Sequence, residues 1–188
     1  MSRPNHILLE GIDGVGKDTV IQGVQNRHGY HQVLHYKTPL VLDCYVPSAE
    51  SSAQRQYQVD TFRTMFRLLR GAPLANVICN RAHLGESVYA PLYRGYSGEY
   101  VFELEREFDA GDLTHVRLVL LTENLDISVH FQDDRKSLGG PERRREEQML
   151  FVRAFNASTI KDKRIVCVTD PLTGKFRSHD AILSDVLA

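Results

Sequence analysis

Apolar residues in this chain gather into short runs separated by stretches with helical spacing. Runs at His6–Glu10, His31–Tyr36, Val77–Asn80, Val116–Thr122 and Ile165–Thr169 predict five strands. The last two contain Val-Arg-Leu-Val-Leu-Leu and Ile-Val-Cys-Val, nearly continuous rather than alternating, as expected where helices cover both faces of a sheet. Between and after the strands, the spacing predicts helices over Lys17–Arg27, Ser52–Leu69, Gly98–Ala110, Leu125–Phe131, Pro141–Thr159 and Ser178–Val186. Gly29, Gly71 and Gly111 fall where helices should stop, most clearly at Gly71-Ala72-Pro73. This alternation predicts an α/β fold: a five-stranded, mostly parallel, doubly wound sheet with its ligand at the carboxyl ends of the strands. The 188 residues suit one domain, 1–188, with no internal repeat.

The first strand runs directly into Glu10–Thr19, EGIDGVGKDT. This stretch fits the phosphate-binding pattern G-x-x-x-x-G-K-[ST] at Gly11, Gly16 and Lys17. Glycines let the backbone turn with positive φ and approach a phosphate without a Cβ in the way. The main chain around Gly14, Val15 and Gly16, with the first turn from Lys17 to Thr19, then forms a concave anion site at a helix N-terminus. Lys17 adds the charge for the β- and γ-phosphates of a nucleoside triphosphate. The pattern breaks at its last position, where Asp18 replaces the usual hydroxyl residue and Thr19 follows. A carboxylate is a good hard ligand, so Asp18 is expected to hold Mg²⁺ between itself and the phosphates.

Three further clusters fall at the same edge. The second strand ends in Tyr36-Lys37-Thr38-Pro39, and proline takes the chain out of the sheet, leaving Lys37 either as a cation for an acceptor phosphate or as a solvated lysine at a strand end. The third ends in Asn80-Arg81, followed by His83, Glu86, Tyr89, Tyr93 and Arg94. Arg81 suits a bidentate phosphate contact. Glu86 suits a base, a partner for a sugar hydroxyl, or an arginine partner, and a lone histidine such as His83 is more often structural. Between Asp126 and Arg145 lies a glycine-containing basic segment with Arg135 and Arg143–Arg145. It reads as a lid, roughly 132–146, that closes arginines over transferring phosphates. A solvated helix face with i,i+4 pairs accounts equally well for Arg143–Arg145.

The net charge of −1 supplies no global attraction for nucleic acid or an anionic membrane, and no apolar run approaches a membrane span. The N-terminal MSRPNH is no apolar leader, which points to the cytoplasm. Cys79 and Cys167 lie in strand-like runs and read as buried thiols rather than disulfides or metal ligands.

Taken together, these pieces resemble the thymidylate kinases and their relatives among the nucleoside monophosphate and deoxynucleoside kinases. EGIDGVGKDT is similar to that family's E-G-x-D-G-x-G-K-[ST]-T, Lys37-Thr38-Pro39 to its basic-x-Pro, and Asn80-Arg81 to its Asp-Arg pair. The resemblance implies a three-layer P-loop kinase fold with a small lid. It also implies Mg-ATP-dependent transfer of the γ-phosphoryl group to a pyrimidine deoxynucleoside 5′-monophosphate, dTMP or a modified analogue. By the same resemblance Asp13 would contact the acceptor sugar, Lys37 its phosphate, and Arg81 both phosphates. Tyr57 with Arg63, and Phe62 in reserve, would receive the base, and Glu86 and Tyr89 would line the acceptor site. Gly14 has no side chain, so the transition-state arginine would come from the lid, as Arg135. Family members are usually dimers, which extends to this chain a weak expectation of a homodimer.

Asn80 departs from the family's aspartate, and Asp18 adds a carboxylate nearby, as if a metal ligand had been relocated. Thr38 stands where deoxynucleoside kinases carry a glutamate base, which disfavours a nucleoside acceptor. Two other readings stay open. One transfers the phosphoryl group to a hydroxyl of a modified base in DNA, such as 5-hydroxymethyluracil, with Glu86 or Asp13 as base. The other is a non-catalytic nucleotide-binding module, although no guanine-reading N-K-x-D motif is present. For the adenine, only the position of Asp170–Gly174 after the last strand suggests a contact.

Overall fold

The computed structural model describes residues 6–28, 32–36, 49–108, 111–125 and 140–188. Its strands are β1 (His6–Glu10), β2 (Gln32–His35), β3 (Val77–Asn80), β4 (Val116–Thr122) and β5 (Asp162–Cys167). They form one parallel sheet in the order β2-β3-β1-β4-β5. The central strands β1 and β4 are buried along their whole length, as their continuous apolar sequences require. β5 is one of the two edge strands, opposite β2. It starts earlier than predicted, at Asp162, because an edge strand half open to solvent accepts Lys163 and Arg164 where a central one would not.

The helices are α1 (Lys17–His28), α2 (Ala49–Gly71), α3 (Leu84–Tyr89), α4 (Tyr100–Glu107), α5 (Pro141–Ala157) and α6 (His179–Leu187). α2 ends at Gly71 as predicted, and α4 is shorter than its predicted span at both ends. α3, and the π-helical turn Ala90–Arg94 that continues it, were not predicted. The helix expected at Leu125–Phe131, beyond Leu125, lies outside the described residues. Phe66, Met65 and Leu69 of α2 and Phe151 of α5 fill the core against Ile7–Leu9 and Leu118–Leu121. Cys79 is buried there, which pushes its thiol up to about 12, and Cys167 is half-buried; both are free thiols. No helix among the described residues is long and apolar enough to cross a membrane.

With β1 at the centre of the order, the loop that follows it emerges at the carboxyl edge. β3 with α3 stands on one side of that loop and β4 with α5 on the other.

Candidate active site

The loop between β1 and α1 needs its first glycine. Gly11 has φ +141°, and a Cβ there would lie 2.6 Å from the Leu121 carbonyl oxygen of β4. Gly14 and Gly16 also have positive φ, while Val15 is fully buried beneath the loop. Lys17 is only 6 % exposed, and its Nζ donates to the carbonyls of Gly11 and Ile12, both at 2.7 Å. Burial holds the Lys17 ammonium down at about 8, partly offset by the nearby carboxylate of Asp13.

Glu10, the last residue of β1, is buried and accepts from the main-chain N–H groups of Leu84 (2.8 Å) and Gly85 (3.3 Å). Burial raises its carboxyl, against the pull of His83 and Lys17. The loop and the start of α3 are therefore joined through one side chain.

Arg81 follows β3 with φ +62°, a left-handed backbone that costs a non-glycine residue of the order of 1 kcal/mol. Its Nη2 meets the Asp13 carboxylate at 2.7 Å. On the far side of the loop, Arg144 of α5 donates from Nη1 to the main-chain oxygen of Asp13 at 2.6 Å. Its Nε bonds Glu123 at 2.6 Å, and Gln148 further fixes the Glu123 main chain. Three cations, Lys17, Arg81 and Arg144, thus converge on one loop. The neighbouring Arg143 points elsewhere: it stacks on Tyr93 and pairs with Glu146 at 2.6 Å.

Asp18, exposed in the first turn of α1, accepts from Asn80 Nδ2 at 2.9 Å. The same Nδ2 lies 3.2 Å from His35 Nδ1 at the end of β2. Asn80 Oδ1 is buried and has no hydrogen-bond partner among the described residues. No cluster of three or more His, Cys, Asp or Glu side chains suited to a metal occurs among the described residues. The Asp18 carboxylate is a hard oxygen donor, and so sparse a protein contribution fits Mg²⁺, which keeps most of its waters.

Glu86 is fully buried. Its Oε2 lies 2.7 Å from Arg94 Nη2, and its Oε1 accepts from the hydroxyls of Tyr96 (2.8 Å) and Tyr100 (2.9 Å). Of the roles open to it in the sequence, arginine pairing is the one its surroundings provide. His83 is structural: buried against Phe66, it meets Glu105 at 2.7 Å, and Glu105 also accepts from Ser158 and Thr159. Burial pushes the Glu105 carboxyl up, but His83 and Thr159 outweigh it and hold it at about 2.

The Tyr89 ring packs on Phe151 and Tyr93, with its buried hydroxyl lacking a hydrogen-bond partner among the described residues. On α2, Tyr57 is half-exposed, whereas Phe62 is buried in the core near Tyr36 and offers no face to a base. Arg63 instead pairs across to Glu107 of α4 at 3.5 Å. It is Arg55, two turns nearer the carboxyl edge, that stacks on Tyr100 at 4.9 Å beside the Glu86 cluster. Its spacing carried no signal for this in the sequence. Thr19 is exposed, and its carbonyl meets His179 at 3.0 Å. Asp170–Gly174 forms a tight turn around the Asp170 carboxylate. Lys37, Thr38, Pro39, Arg135 and the lid through residue 139 lie outside the described residues.

No protein-family model matches this sequence, and no curated protein is significantly similar to it. Solved structures do match. YorR from Bacillus subtilis, solved with phosphorylated GDP, superposes with a TM-score of 0.65 at 17 % identity, covering 96 % of this chain and 92 % of that one. Thymidylate kinase from Ehrlichia chaffeensis gives 0.58 at 13 % identity over 96 % of this chain and 95 % of its own. That of Candida albicans gives 0.57 at 15 % identity over 98 % and 90 %. At such identities the likeness speaks for architecture alone: the chain has the P-loop kinase fold that these structures share.

Proposed function

We propose that this protein is an ATP-dependent phosphotransferase that passes the γ-phosphoryl group to a pyrimidine deoxynucleoside 5′-monophosphate. The observation that carries this reading is the convergence of Lys17, Arg81 and Arg144 on the loop Gly11–Gly16. A nucleotide-binding switch needs the loop and its lysine. Two arginines converging from opposite sides suit charge that gathers on a phosphoryl group in flight.

In the reaction, an acceptor phosphate oxygen forms a bond to the γ-phosphorus as the bridging oxygen of ADP leaves. The acceptor oxygen is already anionic, so no base is required. Lys17 leaves its loop carbonyls for the β/γ-phosphates, and the loop N–H groups hold the donor. Arg81 exchanges Asp13 for the two phosphates it bridges, freeing Asp13 for the acceptor sugar. Arg144 stabilises the transferring group from the α5 side, with Arg135 and Lys37 as further cations from the lid and from the segment after β2. Mg²⁺, where bound, neutralises phosphate charge, with Asp18 as its protein ligand. Arg55, rather than Arg63, stands at the edge where a base would enter, with Tyr57 on the same helix and Tyr89 on α3.

A hydroxyl acceptor, such as a modified base in DNA, would need a carboxylate base. Glu86 is committed to Arg94 and two tyrosines, which weighs against that alternative. The test is ATP consumption with Mg²⁺ against dTMP, dUMP, 5-hydroxymethyl-dUMP, dCMP, dGMP, thymidine, and duplex DNA with and without 5-hydroxymethyluracil. Turnover on a free pyrimidine monophosphate, lost in Lys17→Ala and Arg81→Ala, is expected. Silence on every monophosphate with label entering the modified DNA overturns the reading.

A further inference from the structure

Asn80 sets a side-chain amide directly against the Asp18 carboxylate. A carboxylate only accepts hydrogen bonds, so the Asn80 atom 2.9 Å from Asp18 Oδ1 must be the donor Nδ2, and the amide cannot be turned over. The second N–H of that nitrogen faces His35 Nδ1 at 3.2 Å. Nδ1 must then be the acceptor, with the side-chain proton on Nε2. His35 and Asn80 are partners in the β2–β3 register, so the imidazole is carried to the amide by the sheet itself. One side chain from each of β2, β3 and α1 thus forms a fixed sequence, His35 to Asn80 to Asp18.

We propose that Asn80 and His35 are positioning residues for the Asp18 carboxylate as a divalent-cation ligand: His35 fixes the Asn80 amide, and the amide fixes Asp18. The proposal rests on the reading of Asp18 as the cation's protein ligand. Partners that orient a ligand from behind ordinarily contribute to affinity as well as geometry. Asn80 does this without adding a second negative charge beside the triphosphate, as an aspartate would.

The test reads the full chain without any acceptor. Long-range ¹H–¹⁵N spectra at pH 8 report the His35 tautomer, and electron paramagnetic resonance titration with Mn²⁺ and ADP reports cation affinity. In the wild type His35 is expected to carry its proton on Nε2. Asn80→Asp, which turns the neighbour into an acceptor, moves that proton to Nδ1. The Mn²⁺ dissociation constant rises about tenfold in Asp18→Asn and in Asn80→Leu, and about threefold in His35→Phe.

A wild-type His35 protonated on Nδ1 overturns the proposal, as does unchanged Mn²⁺ affinity in Asn80→Leu and His35→Phe while Asp18→Asn weakens it. Unchanged affinity in Asp18→Asn removes the ligand reading and the proposal with it. Because no acceptor is present, failure of the acceptor panel with these responses intact counts against the monophosphate reaction alone.

Discussion

Arg144 of α5 donates to the main-chain oxygen of Asp13, at 2.6 Å, so a helix at one end of the chain touches the loop at the other. Its second partner, Glu123, is itself only 5 % exposed, which fixes the guanidinium before any phosphate arrives. Arg144→Ala is expected to lower kcat by about 10²–10³-fold with a smaller change in the KM for ATP, the signature of a group acting on the transition state. Arg144→Lys should not restore the rate, because a point charge cannot keep both contacts of a planar fork. Steady-state kinetics beside Arg135→Ala shows which arginine carries the larger share; equal rates for wild type and Arg144→Ala would exclude it.

Arg55 and Arg63 make opposite predictions on one helix. α2 descends from the carboxyl edge, and eight residues put Arg63 about 12 Å further from the site. Arg55→Ala should raise the KM for the acceptor about tenfold. Arg63→Ala should change stability by less than about 1 kcal/mol and leave acceptor KM alone, since its pair with Glu107 is half-exposed.

The Asp18 and Asn80 exchange can be tested as a pair. Asp18→Thr with Asn80→Asp returns the carboxylate to β3 and a hydroxyl to the loop, and the double variant should retain activity. Each single change should do worse than the pair, Asn80→Asp by crowding two carboxylates and Asp18→Thr by removing the proposed cation ligand. A dead double variant with tolerated single variants would exclude relocation.

Lys17 gives a stability prediction with a definite sign. Burial lowers its folded-state value to about 8, below the ordinary 10.5, so between those values the unfolded chain binds the extra proton. Stability of the wild type relative to Lys17→Met should therefore rise by about 2 kcal/mol from pH 7 to pH 10, read by urea unfolding. A difference that is flat with pH would exclude it.

Glu105 works the other way. Its carboxyl sits at about 2, below the ordinary 4.5, so its contribution is present above pH 5 and drains away as the pH falls toward 2. Glu105→Gln should cost about 3 kcal/mol at pH 7 and little at pH 2, because it leaves His83 and the Thr159 donors without their anion.

Much of the scaffold was legible because its signal is local. β1, β3 and β4 are apolar runs with defined ends, and Gly11 to Lys17 is a contiguous pattern whose glycines have steric reasons. α3 and the π-helical turn were not legible. What makes the segment helical is tertiary: Glu10 receiving the N–H groups of Leu84 and Gly85, and Glu86 closing on Arg94 and two tyrosines. Arg144 was hidden in a run of three arginines. Only the turn of the helix separates it from Arg143, which faces Tyr93 instead. Arg55 and His35 needed the α2–α4 packing and the β2–β3 register, neither of which a single sequence displays.

Glu10 has one more consequence. By holding the first turn of α3 from the last residue before the loop, it ties the loop and α3 together through one buried carboxylate. On the proposed function, strain that a triphosphate puts into the loop is expected to reach α3 by this route. On the same reading, occupancy of the donor site is expected to preset the acceptor site through this one carboxylate, so that the order of substrate addition would be written into the frame.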